Sequence, residues 1–249
     1  MIRISLGNPG SGKTLAEVRE MVINKTRRKT YSNIQTNLSN QKNIDASMII
    51  KEELQSYKKN KLTGQNEAIM KYALNDTYWK KIKEPINVVL DEAHSIINSR
   101  RSMSKINIIV TEWIALVRRV LGSSEAGFGE LVFITQLPNR IDLIARDMAT
   151  QVRYHICHYW KSCKSCSSNW HETSEDPEPR FSCPVCGSHE IKKGRFSIEL
   201  FHFKSMDLFN GWKNYGMKSY YNHYFLKDVE RYFNVYDSLQ WDNMFSKYY

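Results

Sequence analysis

The chain has 249 residues, with 36 Lys and Arg against 26 Asp and Glu and a formal net charge of +10. Such a length fits one large domain, or one domain with a small insertion. No apolar run approaches the roughly 18 residues that span a bilayer, and no secretory leader precedes the first strand, so a soluble cytoplasmic chain without membrane insertion is expected.

Ile2-Arg3-Ile4-Ser5-Leu6 alternates as a strand does, and Leu15, Val18 and Val22 recur at helical spacing. Between them stands Gly7-Asn8-Pro9-Gly10-Ser11-Gly12-Lys13-Thr14, the G-x-x-x-x-G-K-[ST] pattern of a P-loop. Its glycines let backbone N–H groups curl around a phosphate. Lys13 reaches the β- and γ-phosphates, and the Thr14 hydroxyl ligates Mg²⁺. The N-terminus of the following helix adds its dipole to the anion site.

Lys29 to Ile34 reads as a second strand, bounded by Asn33 and the polar stretch 35–43. From Ala46 to Lys83 the chain is polar and Lys-rich with sparse apolar positions, which predicts helical pieces broken at Gly64 and Asn75-Asp76. After Pro85, Ile86-Asn87-Val88-Val89-Leu90 is a buried strand ending in Asp91-Glu92, a Walker B signature expected to lie beside the P-loop strand. Asp91 is suited to hold Mg²⁺ through a water, and Glu92 to polarise the attacking water as general base.

A helix is predicted over Ile108 to Val120, with Ile109, Trp113, Leu116 and Val120 on one face and Trp113 in the core. A loop over Gly122 to Gly129 leads into the strand Leu131 to Thr135. Gln136 at its tip either senses the γ-phosphate or satisfies loop backbone. Asp142 to Met148 reads as a short helix and Val152 to Tyr159 as another strand. The alternation implies an α/β fold with a mostly parallel sheet covered on both faces. Arg118, Arg119, Arg146 and Arg153 are candidates for an arginine finger given to a neighbouring subunit, and Arg119 and Arg146 are taken forward.

The succession GNPGSGKT, YSNIQTNL, VVLDEAH, LVRRVLG and LVFITQLPNRIDLIARDMATQVRYHI resembles the zonula occludens toxin-like P-loop ATPases over roughly Met1 to Tyr159. That group includes filamentous-phage morphogenesis proteins and lies near the FtsK/HerA DNA translocases and viral genome-packaging ATPases. The resemblance implies a RecA-like core, ATP with Mg²⁺, a hexameric ring, and hydrolysis coupled to movement of DNA or a virion. By position it implies Lys13, Thr14, Asp91, Glu92 and Gln136 as working residues. Many members continue into a membrane-spanning helix, which this sequence lacks, so a soluble packaging-type motor is expected over membrane-anchored extrusion.

Cys163-Lys164-Ser165-Cys166 and Cys183-Pro184-Val185-Cys186 form two C-x₂-C knuckles sixteen residues apart. Four thiolates at this spacing predict a structural Zn²⁺ ribbon with a closed coordination shell, two disulfides being the competing reading. Cys157 is left over and is expected to be a buried thiol. Arg195 to Lys204 alternates as a strand, and the aromatic-rich stretch 212–249 either packs on the core or stacks on single-stranded bases. Within it, Val229, Tyr232, Phe233 and Tyr236 are predicted on one inward helical face.

These readings divide the chain into an ATPase core over 1–159, a zinc ribbon over 160–191 and a C-terminal strand and helix over 192–249. Residues 1–160 carry 24 Lys and Arg against 15 Asp and Glu, while 161–249 carry 12 against 11. The positive excess on the core points to nucleic acid, with duplex DNA expected. The expected function is an oligomeric, hexameric DNA-translocating ATPase for viral genome packaging, with a capsid or portal component as partner. An assembly or secretion ATPase indifferent to DNA and an ATP-dependent switch or scaffold are the alternatives.

Overall fold

The computed structural model describes residues 1–24, 28–59, 66–97, 104–121, 129–178 and 180–237. The predicted break at Gly64, the loop from Gly122 to Phe128, Arg27 of a basic cluster, the Val120 side chain and the end of the aromatic tail from 238 onward lie outside the described residues.

Ile2–Leu6 forms β1, and Lys13–Ile23 forms α1 behind the P-loop. The next strands are Lys29–Ser32 (β2) and Gln41–Asn43 (β3). Ala46–Ile49 (α2) leads to Ile50–Lys59 (β4) and Asn66–Leu74 (β5), then Asp76–Lys80 (α3) and Ile86–Leu90 (β6). Ala93–Ile96 (α4), Lys105–Val120 (α5), Leu131–Thr135 (β7) and Leu143–Asp147 (α6) follow. The remainder is Gln151–Cys163 (β8), Asn169–Thr173 (β9), Ile191–Phe203 (β10), Met206–Tyr215 (α7), Asn222–Leu226 (β11) and a 3₁₀ segment Val229–Val235.

The main sheet runs β11-β10-β8-β1-β7-β6-β2-β3, with β9 paired to β8. Pairings from β3 through β8 are parallel, and those of β10 with β8, β11 with β10 and β9 with β8 are antiparallel. The fold is therefore mixed α/β with a mostly parallel sheet. The expectation that the Asp91-Glu92 strand adjoins the P-loop strand is corrected: β7 lies between β1 and β6. Apolar patterning identifies a buried strand without saying which strand it neighbours, because every central strand of a parallel sheet buries both faces.

Each central strand divides its side chains between two cores. Ile2, Ile4, Leu6, Val88, Leu90, Leu131 and Phe133 face a cluster containing Trp79, Trp113 and Ile109. Val89, Val132 and Ile134 face Val18 and Met21 of α1. Trp113 is fully buried as expected, and α5 starts three residues before the predicted boundary, where the Ser104 side chain accepts from the Asn107 N–H.

The segment 46–83 is the second correction. Instead of helical pieces it is mainly an antiparallel hairpin, β4 with β5, flanked by the short helices α2 and α3. Lys and Glu favour helices intrinsically, but without an apolar stripe there is no tertiary packing to hold a helix. A backbone ladder and cross-strand pairs such as Lys71 Nζ with Glu53 Oε2 at 3.9 Å act instead. Towards the C-terminus, Val229 and Tyr232 are buried as expected, but the segment is 3₁₀ and Phe233 is 47% exposed. Three residues per turn rotate the fourth position of an α-helical stripe away from the core. Among the described residues no helix is long and apolar enough to cross a membrane.

On the α1 side of the sheet β1 carries two polar residues, Arg3 and Ser5, both buried. Arg3 Nη2 donates to Glu17 Oε2 at 2.5 Å, Ser5 Oγ donates to Glu17 Oε1 at 2.6 Å, and Arg3 Nη1 reaches Glu130 Oε2 at 2.7 Å. Burial alone raises the Glu17 carboxyl, but the Arg3 and Arg153 guanidinium groups and the Ser5 hydroxyl outweigh it and hold it down at about 2. Because the folded value lies below the unfolded one, this stabilisation is complete above the ordinary carboxyl range and is lost as pH falls from about 4.5 towards about 2. Glu17→Gln leaves Arg3 buried with its main partner neutralised. It is expected to cost about 3–5 kcal/mol in urea unfolding at neutral pH, with the gap to wild type closing over that acid interval.

Candidate functional site

The P-loop leaves β1 at Leu6, and the chain can only turn there because Gly7, Gly10 and Gly12 adopt φ of 153°, 74° and 81°. A Cβ on Gly7 would lie 2.4 Å from Ser11 Oγ and 2.6 Å from the His155 carbonyl oxygen, so only glycine fits. The Lys13 ammonium lies inside the loop, donating to the Gly7 and Asn8 carbonyls at 2.9 Å each and lying 3.4 Å from Ser11 Oγ. Burial lowers its proton affinity while Asp91 and Glu92 work against that. A buried cation in a glycine-rich loop at a helix N-terminus is a site for a polyanion. Pro9 stands at the loop's exposed crest.

Although β7 separates their strands, the Thr14 hydroxyl donates to Asp91 Oδ2 at 2.8 Å. Asn33, just beyond β2, fixes Asp91 from the other side: its Nδ2 donates to the Asp91 carbonyl at 2.9 Å and its Oδ1 accepts from the Asp91 N–H at 2.7 Å. Burial raises the Asp91 carboxyl against the opposing Thr14 and backbone hydrogen bonds. A half-buried carboxylate in contact with a hydroxyl is an oxygen donor set suited to a hard divalent cation, so Thr14 and Asp91 fit Mg²⁺.

Glu92 has φ 50° and ψ 43°, a left-handed turn that costs a non-glycine residue about 1–3 kcal/mol. The turn sends the two neighbouring carboxylates in different directions. Asp91 points to Thr14, whereas Glu92 Oε1 accepts from Gln136 Nε2 at 3.1 Å and Glu92 Oε2 lies 3.2 Å from His94 Nδ1. His94 Nδ1 is also 3.2 Å from Thr135 Oγ1. Gln136 therefore stands at the end of the intervening strand, between the P-loop and Glu92. Sequence reading missed Asn33 and His94 as site residues. Asn33 carried no chemistry beyond bounding a strand, and His94 carried only its place two residues after Glu92.

Arg119 and Arg146 are not beside the P-loop of their own chain. Arg119 is exposed at the C-terminal end of α5, next to Arg118, whose charge acts on the Met1 amine at the opposite end of β1. Arg146 is half-buried four residues before Thr150, whose N–H donates to the Ile2 carbonyl at that same end. Arg153 is half-buried, and its charge acts on Glu17, His155 and His202.

Cys163, Cys166, Cys183 and Cys186 bring four sulfurs within 4.8 Å of one another. Cys163 Sγ is 3.6 Å from Cys186 Sγ, and Cys166 Sγ is 3.6 Å from Cys183 Sγ. All four are free thiols, so the disulfide reading is not realised in this structure. The two knuckles repeat one backbone pattern. Cys163 N–H donates to Ser168 O and Ser167 N–H to Cys163 O; Cys183 N–H donates to Ser188 O and Gly187 N–H to Cys183 O. Ser167 and Gly187 occupy the same position with φ 58° and 72°. Four sulfurs around Zn²⁺ at about 2.3 Å lie about 3.8 Å apart, so the donor set and its spacing fit that ion. Cys157 is buried and its thiol is pushed up to about 11 by burial, which makes it an inert core residue.

The stem of this cluster touches the P-loop. Tyr159 Oη donates to the Gly10 carbonyl at 2.6 Å, and Asn8 Nδ2 donates to the Ser174 carbonyl at 3.2 Å. Asn33→Ala removes both bonds to the Asp91 backbone and is expected to cost about 1–3 kcal/mol by chemical denaturation. Asn33→Leu, of similar volume but equally unable to bond, is expected to lose no less.

No curated protein matches the chain. Among solved structures it is similar to the N-terminal domain of zonular occludens toxin from Neisseria meningitidis, at 16% identity over 95% of this chain and 98% of that one, with a TM-score of 0.48. It is also similar to the genome packaging NTPase B204 from Sulfolobus turreted icosahedral virus 2. In complex with ATP-gammaS that match has 13% identity, 61% and 74% coverage and a TM-score of 0.35; with AMP, 13%, 61%, 73% and 0.34. The family model for zonular occludens toxin (Zot) matches residues 1–174, which include the P-loop, the Asp91-Glu92 strand end and Gln136, and the chain belongs to that family.

Proposed function

We propose that this protein is an ATP-hydrolysing, RecA-like motor that assembles as an oligomer, a hexamer by family resemblance, and moves DNA during viral genome packaging. The observation that carries the NTPase reading is the convergence of Lys13, Thr14, Asp91, Glu92 and Gln136 at one end of the sheet, where the Thr14–Asp91 and Gln136–Glu92 hydrogen bonds measure 2.8 and 3.1 Å. Mg²⁺, held by Thr14 and Asp91, supplies charge neutralisation at the phosphates. The backbone N–H groups from Gly7 to Gly12 and the Lys13 ammonium bind the triphosphate. Glu92 takes the proton of a water whose oxygen bonds the γ-phosphorus as the bond to the β,γ-bridging oxygen breaks. Gln136 orients Glu92 and that water. Arg119 or Arg146 of a neighbouring subunit serves as the finger, which accounts for neither being near its own P-loop.

The DNA reading rests on the positive excess within residues 1–160, 24 basic against 15 acidic residues. The four cysteines form a zinc ribbon, appended to the core through β8 and β10, whose pairing continues past a register shift between Lys193 and Phe196 to Ile191 opposite Cys163.

Glu92→Gln is expected to retain ATP affinity and lose at least about 10²-fold in kcat; an unchanged kcat removes Glu92 from the mechanism. Duplex DNA at low salt is expected to stimulate the wild-type rate, with the stimulation vanishing as salt rises. A Glu92-dependent rate indifferent to DNA would instead identify an assembly ATPase. Metal analysis is expected to find one Zn²⁺ per chain, lost in Cys183→Ser while the rest of the fold persists by circular dichroism.

A further inference from the structure

Three aromatic rings at the rim of the P-loop have no part in phosphate chemistry. The Tyr159 hydroxyl donates to the Gly10 carbonyl at 2.6 Å, which pins its ring to the crest of the loop. Phe196 pairs with Tyr159 across β8 and β10, with ring centroids 6.3 Å apart. Phe233, from the 3₁₀ segment, stacks on Phe196 at 5.5 Å and 29°. Ile198, two residues along β10 on the same face as Phe196, closes against the loop so tightly that a Cβ on Gly12 would lie 2.5 Å from its Cδ1. The rings therefore form a wall that begins at Gly10 and Gly12 and leads outwards. Tyr159 and Phe196 are half-buried, and Phe233 is exposed.

A nucleotide gripped by its phosphates must lay its base against one flank of the loop. This flank offers ring faces, and aromatic faces accept a base by stacking. We propose that Tyr159, Phe196 and Phe233 form the nucleobase subsite of the P-loop, with the base of a nucleoside triphosphate stacked on Phe196 and Phe233 and Tyr159 joining the base wall to the phosphate loop. The inference rests on the nucleotide reading above and adds the group that would distinguish a nucleotide from a bare polyphosphate.

Calorimetric titration with Mg²⁺-ATP and, separately, with Mg²⁺ and inorganic tripolyphosphate tests it. Wild-type protein is expected to bind ATP more tightly than tripolyphosphate. Phe196→Ala and Phe233→Ala are each expected to weaken ATP about tenfold and to leave tripolyphosphate unchanged, which also shows that the variants are folded; Phe196→Trp is expected to restore the affinity. ATP binding unaltered in both alanine variants, or ATP and tripolyphosphate weakened equally, overturns the subsite. Wild-type protein that binds tripolyphosphate as tightly as ATP also overturns the subsite while leaving the P-loop reading in place. Wild-type protein that binds neither removes both.

Discussion

The contact between Thr14 and Asp91 is the constraint around which the candidate site is built. Thr14 lies in the first turn of α1 and Asp91 follows the end of β6, two positions away in the sheet, so their side chains meet only in one stagger of β1, β7 and β6. Parallel registry sets that stagger: β1 pairs with β7 from Ile2 with Leu131 to Leu6 with Thr135, whereas β6 ends with Leu90 opposite Phe133, two residues short of that end. The strand between them is not a spacer. Its tip delivers Gln136 to Glu92, so the geometry that separates the two motifs also fills the gap between them with an amide.

Holding that edge steady requires α1 to sit in one place on the sheet. Apolar contacts of Leu15, Val18 and Met21 give attraction but little direction, and the buried Arg3–Glu17–Ser5 cluster supplies it. An ion pair in a low-dielectric interior tolerates little misalignment, since a small shift leaves a desolvated charge uncompensated. The cluster thus fixes the axial position of α1, and with it Lys13 and Thr14 at the N-terminus of the helix. On the neighbouring side, Tyr159 of β8 and Ser174, just past β9, tie the P-loop to the strands that lead to the cysteine cluster.

Much of the site was legible because its chemistry is local. Gly7 to Thr14 is contiguous, the apolar run before Asp91-Glu92 needs no partner to be recognised as a buried strand, and a C-x₂-C knuckle closes within a few residues. Residues acting across the fold were not legible in the same way. Asn33 matters because it clamps the backbone of Asp91, fifty-eight positions away in the chain, and His94 because Glu92 turns left-handed towards it. The hairpin at 50–74 was misread because Lys and Glu speak for a helix intrinsically, whereas the absence of an apolar stripe left that helix nothing to pack against.

By itself the sequence determined the α/β class, the P-loop, the paired carboxylates at a strand end, the tryptophan core of α5 and the two cysteine knuckles. Each of these follows from the periodicity or spacing of near neighbours, which backbone geometry converts directly into local structure. Only the tertiary structure decided that β7 intervenes between β1 and β6, that Arg3 and Glu17 share a buried ion pair, that Tyr159 and Ser174 reach the P-loop, and that Arg119 and Arg146 lie away from it. Those outcomes depend on which strands become neighbours, and that choice is made by the burial of all the faces at once rather than by any single stretch of chain.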